Sequence, residues 1–494
     1  MTIGVSMKGR PYGLLLAAVA VLTAACGVRV SSQLRRQAAN AQLGVGAAAG
    51  GAPTNGLATG AATSGSAGGG SPVAGATQTA SGPTAATGVG GAATSGGGAG
   101  INSPSAPAPA GGNGGATDVG VTADTILLGN VSDLSGPVPG IFKGATTGTL
   151  AYENYINSQG GIFGRQLRLS VSDSQTECAQ TENAYSSLLG KVFAFVGSFG
   201  LYDDCAANVL GHHTDIPVVQ YMLSGQGIAL PNDFSVDPIA PGGYATGPFL
   251  YYGAKFGDAV HHVGSLWSNI PSAIAQVTGI NAAAQSVGWK FTYTRAVGAT
   301  ETNFTTDIVR MQSSGVKLVF LIGVTGQVAA TVVDEAEQQN WHPTFVLPIA
   351  YAQNFLQLVG GPQNAEGIYG FNLYSLFFNS DEARNIPELA LYQQWMQRTD
   401  AGQPEDLYSM YGWAEAALFV QALKAAGPHA TRAAVMATLR SIHSFSDNGV
   451  VGPADPAGKV ATHCYVLWSI HNGNFGRLDT PPTNFRCDGT FYKG

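Results

Sequence analysis

The chain has 494 residues, 45% of them hydrophobic and only 11% charged, with a formal net charge of −7. All 30 acidic residues follow Thr117, whereas Lys8, Arg10, Arg29, Arg35 and Arg36 precede it, so residues 118–494 hold 18 basic against 30 acidic side chains, a net of −12. Such a surface argues against a nucleic-acid partner, which needs a basic footprint, and the 377 residues involved exceed what one hydrophobic core usually organises.

The N-terminus reads as an export signal. A basic start (Lys8, Arg10) precedes an apolar run from Tyr12 to Leu22, and small residues follow in Leu22-Thr23-Ala24-Ala25-Cys26. Met7, directly before Lys8, serves equally as a first residue. The apolar run is about half the 20 residues needed to span a bilayer, so an uncleaved anchor is the weaker alternative. The small residues ending in Cys26 resemble a bacterial lipoprotein signal, with Thr23 standing where that box usually has Leu. The resemblance implies that residues 1–26 are a signal peptide ending at a lipidated Cys26, which places the mature chain on the extracytoplasmic side of the cell membrane. Arg29, Arg35 and Arg36 would then face lipid headgroups.

Residues 27–117 are expected to be a disordered tether rich in Gly, Ala, Ser and Pro. From Gln37 to Thr117 no residue is charged. The stretch has too few large side chains to offset the entropy of ordering it. As a flexible coil its 81 residues reach on the order of 50 Å.

From Thr125 onward short apolar runs alternate with amphipathic stretches. Strands are expected at 126–131, 166–171, 192–196 and 216–219, with helices at 142–158, 176–190 and 203–212 between them. The pattern resumes with strands at 263–267, 289–295, 317–322 and 344–347, and helices at 272–287, 303–314 and 327–339. Strands alternating with helices predict an α/β fold with parallel sheets covered on both faces. Two such series predict two similar lobes, and a cleft between them is the default ligand site. With Cys26 set aside, Cys178, Cys205, Cys464 and Cys487 remain, and an oxidising compartment favours disulfides. Four cysteines allow three pairings. The sequence-local one, Cys178–Cys205 with Cys464–Cys487, is preferred.

Several motifs carry a family resemblance. They include Asp133-Leu134-Ser135-Gly136-Pro137, Tyr152-Glu153-Asn154-Tyr155-Ile156-Asn157, and Gly160-Gly161-Ile162-Phe163-Gly164-Arg165. Further matches are Asp173, Val196-Gly197-Ser198, Ile216-Pro217-Val218-Val219, Asn303-Phe304-Thr305-Thr306-Asp307, Ala365-Glu366-Gly367 and Tyr411-Gly412-Trp413-Ala414-Glu415. From about residue 121 to 494 the chain resembles type I periplasmic binding proteins, and more narrowly the branched-chain amino-acid receptors that serve ABC transporters. The resemblance implies two Rossmann-like lobes joined by a three-strand hinge, with crossovers near Gly243, Gly370 and Ser446. Lobe 1 would be about 121–243 and 371–446, and lobe 2 about 244–370 and 447–494, within a binding domain of 118–494. A bridge early in lobe 1 is usual in the family, which supports Cys178–Cys205.

Ligand contacts are expected at strand-end loops facing the cleft. Those of lobe 1 are Ser135, Gly136, Phe199, Gly200, Tyr202, Tyr221 and Ser224. Those of lobe 2 are Ser268, Asn269, Thr325, Gln327 and Tyr351. Each aromatic has ordinary core packing as its plain alternative. Asp203-Asp204, at a helix start, is expected to favour the helix dipole rather than to catalyse. No nucleophile elbow or phosphate loop occurs, no cysteine spacing suits zinc, and His212-His213 and His261-His262 point apart, so no enzyme activity, cofactor or metal is expected. The expected partners are a small-molecule ligand, ABC permease subunits, and the membrane through the lipid; a surface sensor using the same cleft is the alternative. Amino-acid receptors of the family hold the ammonium with an acid near a lobe 2 strand end and the carboxylate with small hydroxyl residues in lobe 1. Here Leu347-Pro348-Ile349-Ala350-Tyr351 has no acid before Glu366, and Gln220-Tyr221-Met222-Leu223-Ser224 is bulky. With Phe199, Tyr202, Tyr221, Met222 and Tyr351 as walls, an apolar or uncharged ligand is expected.

Overall fold

A computed structural model describes residues 105–238, 244–298, 300–378, 380–479 and 485–492. Cys26, the signal segment and the spacer up to residue 104 lie outside the described residues, as does the expected crossover at Gly243.

The first lobe starts with β1 (Thr125–Ser132), α1 (Lys143–Ser158), β2 (Gln166–Asp173), α2 (Cys178–Leu188), β3 (Ala194–Val196), α3 (Asp203–Leu210), β4 (Val218–Val219), α4 (Gly225–Ile228) and β5 (Asp233–Phe234). Its sheet is wholly parallel in the order β2-β1-β3-β4-β5. The chain then forms β6 (Tyr244–Ala245), α5 (Gly247–Phe256), β7 (Val263–Ser268), α6 (Pro271–Ser286), β8 (Phe291–Val297), α7 (Thr305–Ser313), β9 (Leu318–Leu321), α8 (Gly326–Gln338), β10 (Thr344–Val346), α9 (Phe355–Leu358) and β11 (Tyr369–Asn372). After β11 come α10 (Ser380–Asn385), α11 (Pro387–Asp400), α12 (Leu407–Ala426) and α13 (Arg432–Leu439); α11 and α12 pack on α1 of the first lobe and α13 on α12. Strands β12 (Val466–His471), β13 (Asn474–Arg477) and β14 (Phe491–Tyr492) complete the second lobe. Its sheet runs β13-β12-β11-β10-β9-β7-β8, parallel except for β12, which is antiparallel to both β11 and β13, and β14 pairs with β6.

The core follows from composition. Strands such as β3 and β9 are buried at every position, as parallel strands covered on both faces must be. Helix α12 is buried nearly all round, matching its apolar sequence. It packs on α1 through glycine: a Cβ at Gly412 would lie 2.1 Å from the Ala145 carbonyl oxygen, and one at Gly148 would lie 2.0 Å from that of Ser409. After α1 the chain reverses through Gly161 at φ +75°, where a Cβ would strike the Arg165 carbonyl.

Both preferred disulfides are present, Cys178–Cys205 joining α2 to α3 and Cys464–Cys487 closing the C-terminal segment. Two sequence expectations shift. Gly370 lies inside β11 beneath the Trp468 indole, and the chain stays with second-lobe residues through Phe378, which packs on Tyr351 and Phe475. Residues 105–117 belong with the first lobe rather than with a spacer. The buried Arg165 guanidinium donates to the carbonyls of Asn113, Gly115, Thr122 and Pro428, and the Phe163 N–H to Ala106. Asp203 and Asp204 stand in the first turn of α3 as expected, where carboxylates favour the helix dipole, but Tyr202 is the N-cap; Asp203 Oδ2 accepts the N–H groups of Leu223 and Ser224 at 2.6 and 2.7 Å and fixes the loop after β4.

Candidate functional site

In an open α/β sheet the crevice opens beyond the carboxyl ends of strands where their order reverses. Here those points are β1/β3 in one sheet and β7/β9 in the other. The loops that follow these strands face one another across the cleft and line a cavity of about 160 Å³. First-lobe loops supply Phe142, Phe199, Leu201, Tyr221 and Leu223; second-lobe loops supply Ser268, Ile270, Ser272, Ala273, Gly323, Val324 and Thr325. The N-terminal turn of α12 adds Leu407, Tyr408 and Tyr411, and the strand leaving the second sheet adds Phe371, Asn372, Leu373 and Tyr374. One hydrogen bond bridges the cleft: the Ser272 hydroxyl donates across it to the Leu201 carbonyl at 2.8 Å.

One wall is a set of interlocked rings. Phe199 stacks on Tyr221 at 4.9 Å, Tyr221 meets Tyr411 at 4.5 Å, and Phe142 contacts Phe199 and Tyr408 at 4.4 and 4.7 Å. Burial pushes the phenols of Tyr221, Tyr374, Tyr408 and Tyr411 far up, so all stay protonated. The Tyr411 hydroxyl donates to Asp237 behind the wall at 3.1 Å. Burial raises the Asp237 carboxyl to about 6, against the Tyr411 hydroxyl and the Thr462 N–H, which favour its ionised form. Among the described residues no Asp, Glu, Lys, Arg or His lines the cavity. Glu366 stands on the exterior, holding His471 and the Asn472 N–H.

Of the residues expected to bind, Phe199, Tyr221, Ser268 and Thr325 line the cavity. The others do not. Ser135 gives its hydroxyl and N–H to Asp173, and Gly136, at φ +100°, lies against the Gln175 carbonyl. Ser224 caps α4 by accepting the Gly227 N–H, and Asn269 donates its N–H to Val297. Gly200, Tyr202 and Gln327 flank the lining without joining it. Tyr351 is fully buried among Tyr374, Phe377, Phe378, Trp468 and Phe475, its hydroxyl accepting the Phe378 N–H at 3.0 Å. Met222, expected as a wall, packs in the first-lobe core. The reading missed Tyr408 and Tyr411, whose i, i+3 spacing on a helix start was the available signal, and Asn372, which carried none.

Two groups of side chains are close enough to share an ion, but each contains both sulfurs of a disulfide. Among the described residues no helix is long and apolar enough to cross a membrane.

Comparison with known proteins agrees with this architecture. The fold is similar to that of a fatty acid ABC transporter substrate-binding protein from Thermomonospora curvata, at 17% identity and TM-score 0.62, covering 76% of this chain and 95% of that one. It is similar to a branched chain amino acid ABC transporter protein from Thermus thermophilus solved with bound valine, at 18% identity and TM-score 0.61, covering 73% and 97%. It is also similar to a solute-binding protein of an ABC transporter from R. palustris solved with 4-hydroxybenzoate, at 16% identity and TM-score 0.59, covering 73% and 98%. No curated protein sequence matches significantly. The sequence profile described as "Periplasmic binding protein" matches residues 125–474, which span both sheets and every loop of the cleft, so the chain belongs to the periplasmic binding protein family, in its type I form.

Proposed function

We propose that this chain is an extracytoplasmic, lipid-anchored solute-binding protein that captures a small molecule between its lobes and delivers it to an ABC permease. The carrying observation is the cavity at both switch points, walled by aromatic rings and, among the described residues, lined by no charged side chain. A zwitterionic α-amino acid would bury an ammonium and a carboxylate there without counter-charges, at a cost of several kcal/mol. The ligand is therefore uncharged and largely apolar. Proteins of this fold solved with valine and with 4-hydroxybenzoate support a cleft whose chemistry varies on a constant frame. The three passages of the chain between the sheets serve as the hinge for closure.

A thermal-shift screen of uncharged cyclic compounds, aromatic acids and amino acids tests the binding. A ligand at 100 times its dissociation constant adds about 2.7 kcal/mol of stability. Ala273→Leu, which fills the cavity, should remove the shift while the protein stays folded. Micromolar binding of leucine, isoleucine or valine would refute the uncharged ligand and leave the binding role standing. For the anchor, Cys26→Ser should release the protein from membranes or leave it unprocessed; a mature-sized mutant still sedimenting with membranes would show the anchor to be wrong.

A further inference from the structure

One buried donor beside the cleft has no acceptor among the described residues. Asn372, the last residue of β11, lines the cavity and is 3% exposed. Its Oδ1 accepts from the Trp468 Nε1–H at 2.9 Å. An indole nitrogen only donates, so the amide oxygen faces Trp468 and Nδ2 is the other branch. That Nδ2 is buried and finds no partner among the described residues. The local structure enforces this. Gly370 pairs with Trp468 across β11 and β12, and a Cβ there would come within 2.2 Å of the indole, so glycine lets the ring lie over the strand and reach Asn372. An amide donor left unpaired in a native interior is rare and costly, and it calls for an explanation. The cavity is about the size of an apolar cavity of roughly 150 Å³ that admits one benzene.

We propose that the Asn372 amide is the orienting hydrogen-bond donor of the cleft, and that the ligand is a neutral, single-ring molecule presenting one carbonyl or hydroxyl oxygen to it. This rests on the cleft being a ligand site. The rings of Phe199, Tyr221 and Tyr408 would cover the apolar body of such a molecule, and Asn372 would fix which end enters first.

Calorimetry on the full chain with two probes is the test. Acetophenone carries the oxygen; isopropenylbenzene has the same shape with a methylene in its place. Wild type should bind acetophenone about tenfold more tightly, the effect of one hydrogen bond to a buried donor. Asn372→Leu should bring the two affinities together. Because that change also strips Trp468 of its acceptor, Asn372→Leu with Trp468→Phe removes both polar partners and guards against misfolding. Equal affinities in wild type, or a gap that persists in a folded variant, overturns the proposal. So does failure to bind acetophenone when other compounds in the screen bind. If no compound in the screen binds, the ligand-binding role itself falls with it.

Discussion

Glu153 shows how a single carboxyl can set a pH dependence. It sits on α1 at 1% exposure, and its Oε1 has no partner among the described residues. Burial pushes its carboxyl up to about 8, which the charge of Arg168 only partly offsets. Between pH 4.5 and 8 the folded chain keeps a proton that the unfolded chain has released, so stability falls as pH rises through that window. Glu153→Gln should therefore raise the melting temperature by several degrees at pH 8.5, with little change at pH 5. An equal gain at both values would mean that ionisation is not the cause. The sequence marked Glu153 only as part of a motif, because its protonation depends on what packs around α1. The same limit applied to the site. Ser135 and Ser224 are polar residues at strand ends, as binding would require, yet their hydroxyls serve Asp173 and α4. Which partner a hydroxyl finds is decided by loop geometry that the sequence does not display.

The pairing of α1 with α12 is the tightest contact between elements. Helix propensity favours alanine over glycine by about 1 kcal/mol, so Gly412→Ala would stabilise an isolated helix. Here the new methyl would meet the Ala145 carbonyl, and overpacking of about 1–3 kcal/mol wins. Urea unfolding should show a lower midpoint for the variant; a higher one would mean that the helices can separate without loss. A second test concerns the ion cluster between β13 and α10, where Arg477 donates to Glu382 and Asp479 at 2.8 Å each, all three side chains nearly buried. Arg477→Ala leaves two buried carboxylates unpaired and should cost about 3–5 kcal/mol. A loss below 1 kcal/mol would show that water reaches the cluster. Alternation of apolar runs located the long strands and helices from β1 to α8 to within a few residues, with the exception of the ten-residue α5, which it left out. It was silent on β5 and β6, too short to show a period, and on every element after β10.

Across the molecule, two sets of carboxyls oppose each other. Burial raises Asp133, and raises Asp203, Asp237 and Asp406 to about 6, so each loses stability as pH climbs above about 4. Glu301, Asp400 and Asp488 are lowered, chiefly by hydrogen bonds from Arg295, Lys143 and Arg486, and lose stability as pH falls below about 4. The melting temperature should peak between about pH 4 and 5.5 and decline toward pH 8; a curve still rising at pH 7 would contradict this balance. Composition alone separated a charge-free N-terminal stretch from an acidic folded part, and periodicity alone fixed two βα series, because both are properties of neighbouring residues. The motifs carried the family, and the preferred sequence-local pairing of the cysteines, which the family resemblance supported for Cys178–Cys205, matches the bridges. What required tertiary structure was the docking of residues 105–117 and the lining of the cleft. Arg165 holds carbonyls from three separate segments, and the cavity wall joins loops from both sheets to α12, contacts between residues up to hundreds of positions apart. Such contacts arise only when both sheets and the helices that cover them are in place.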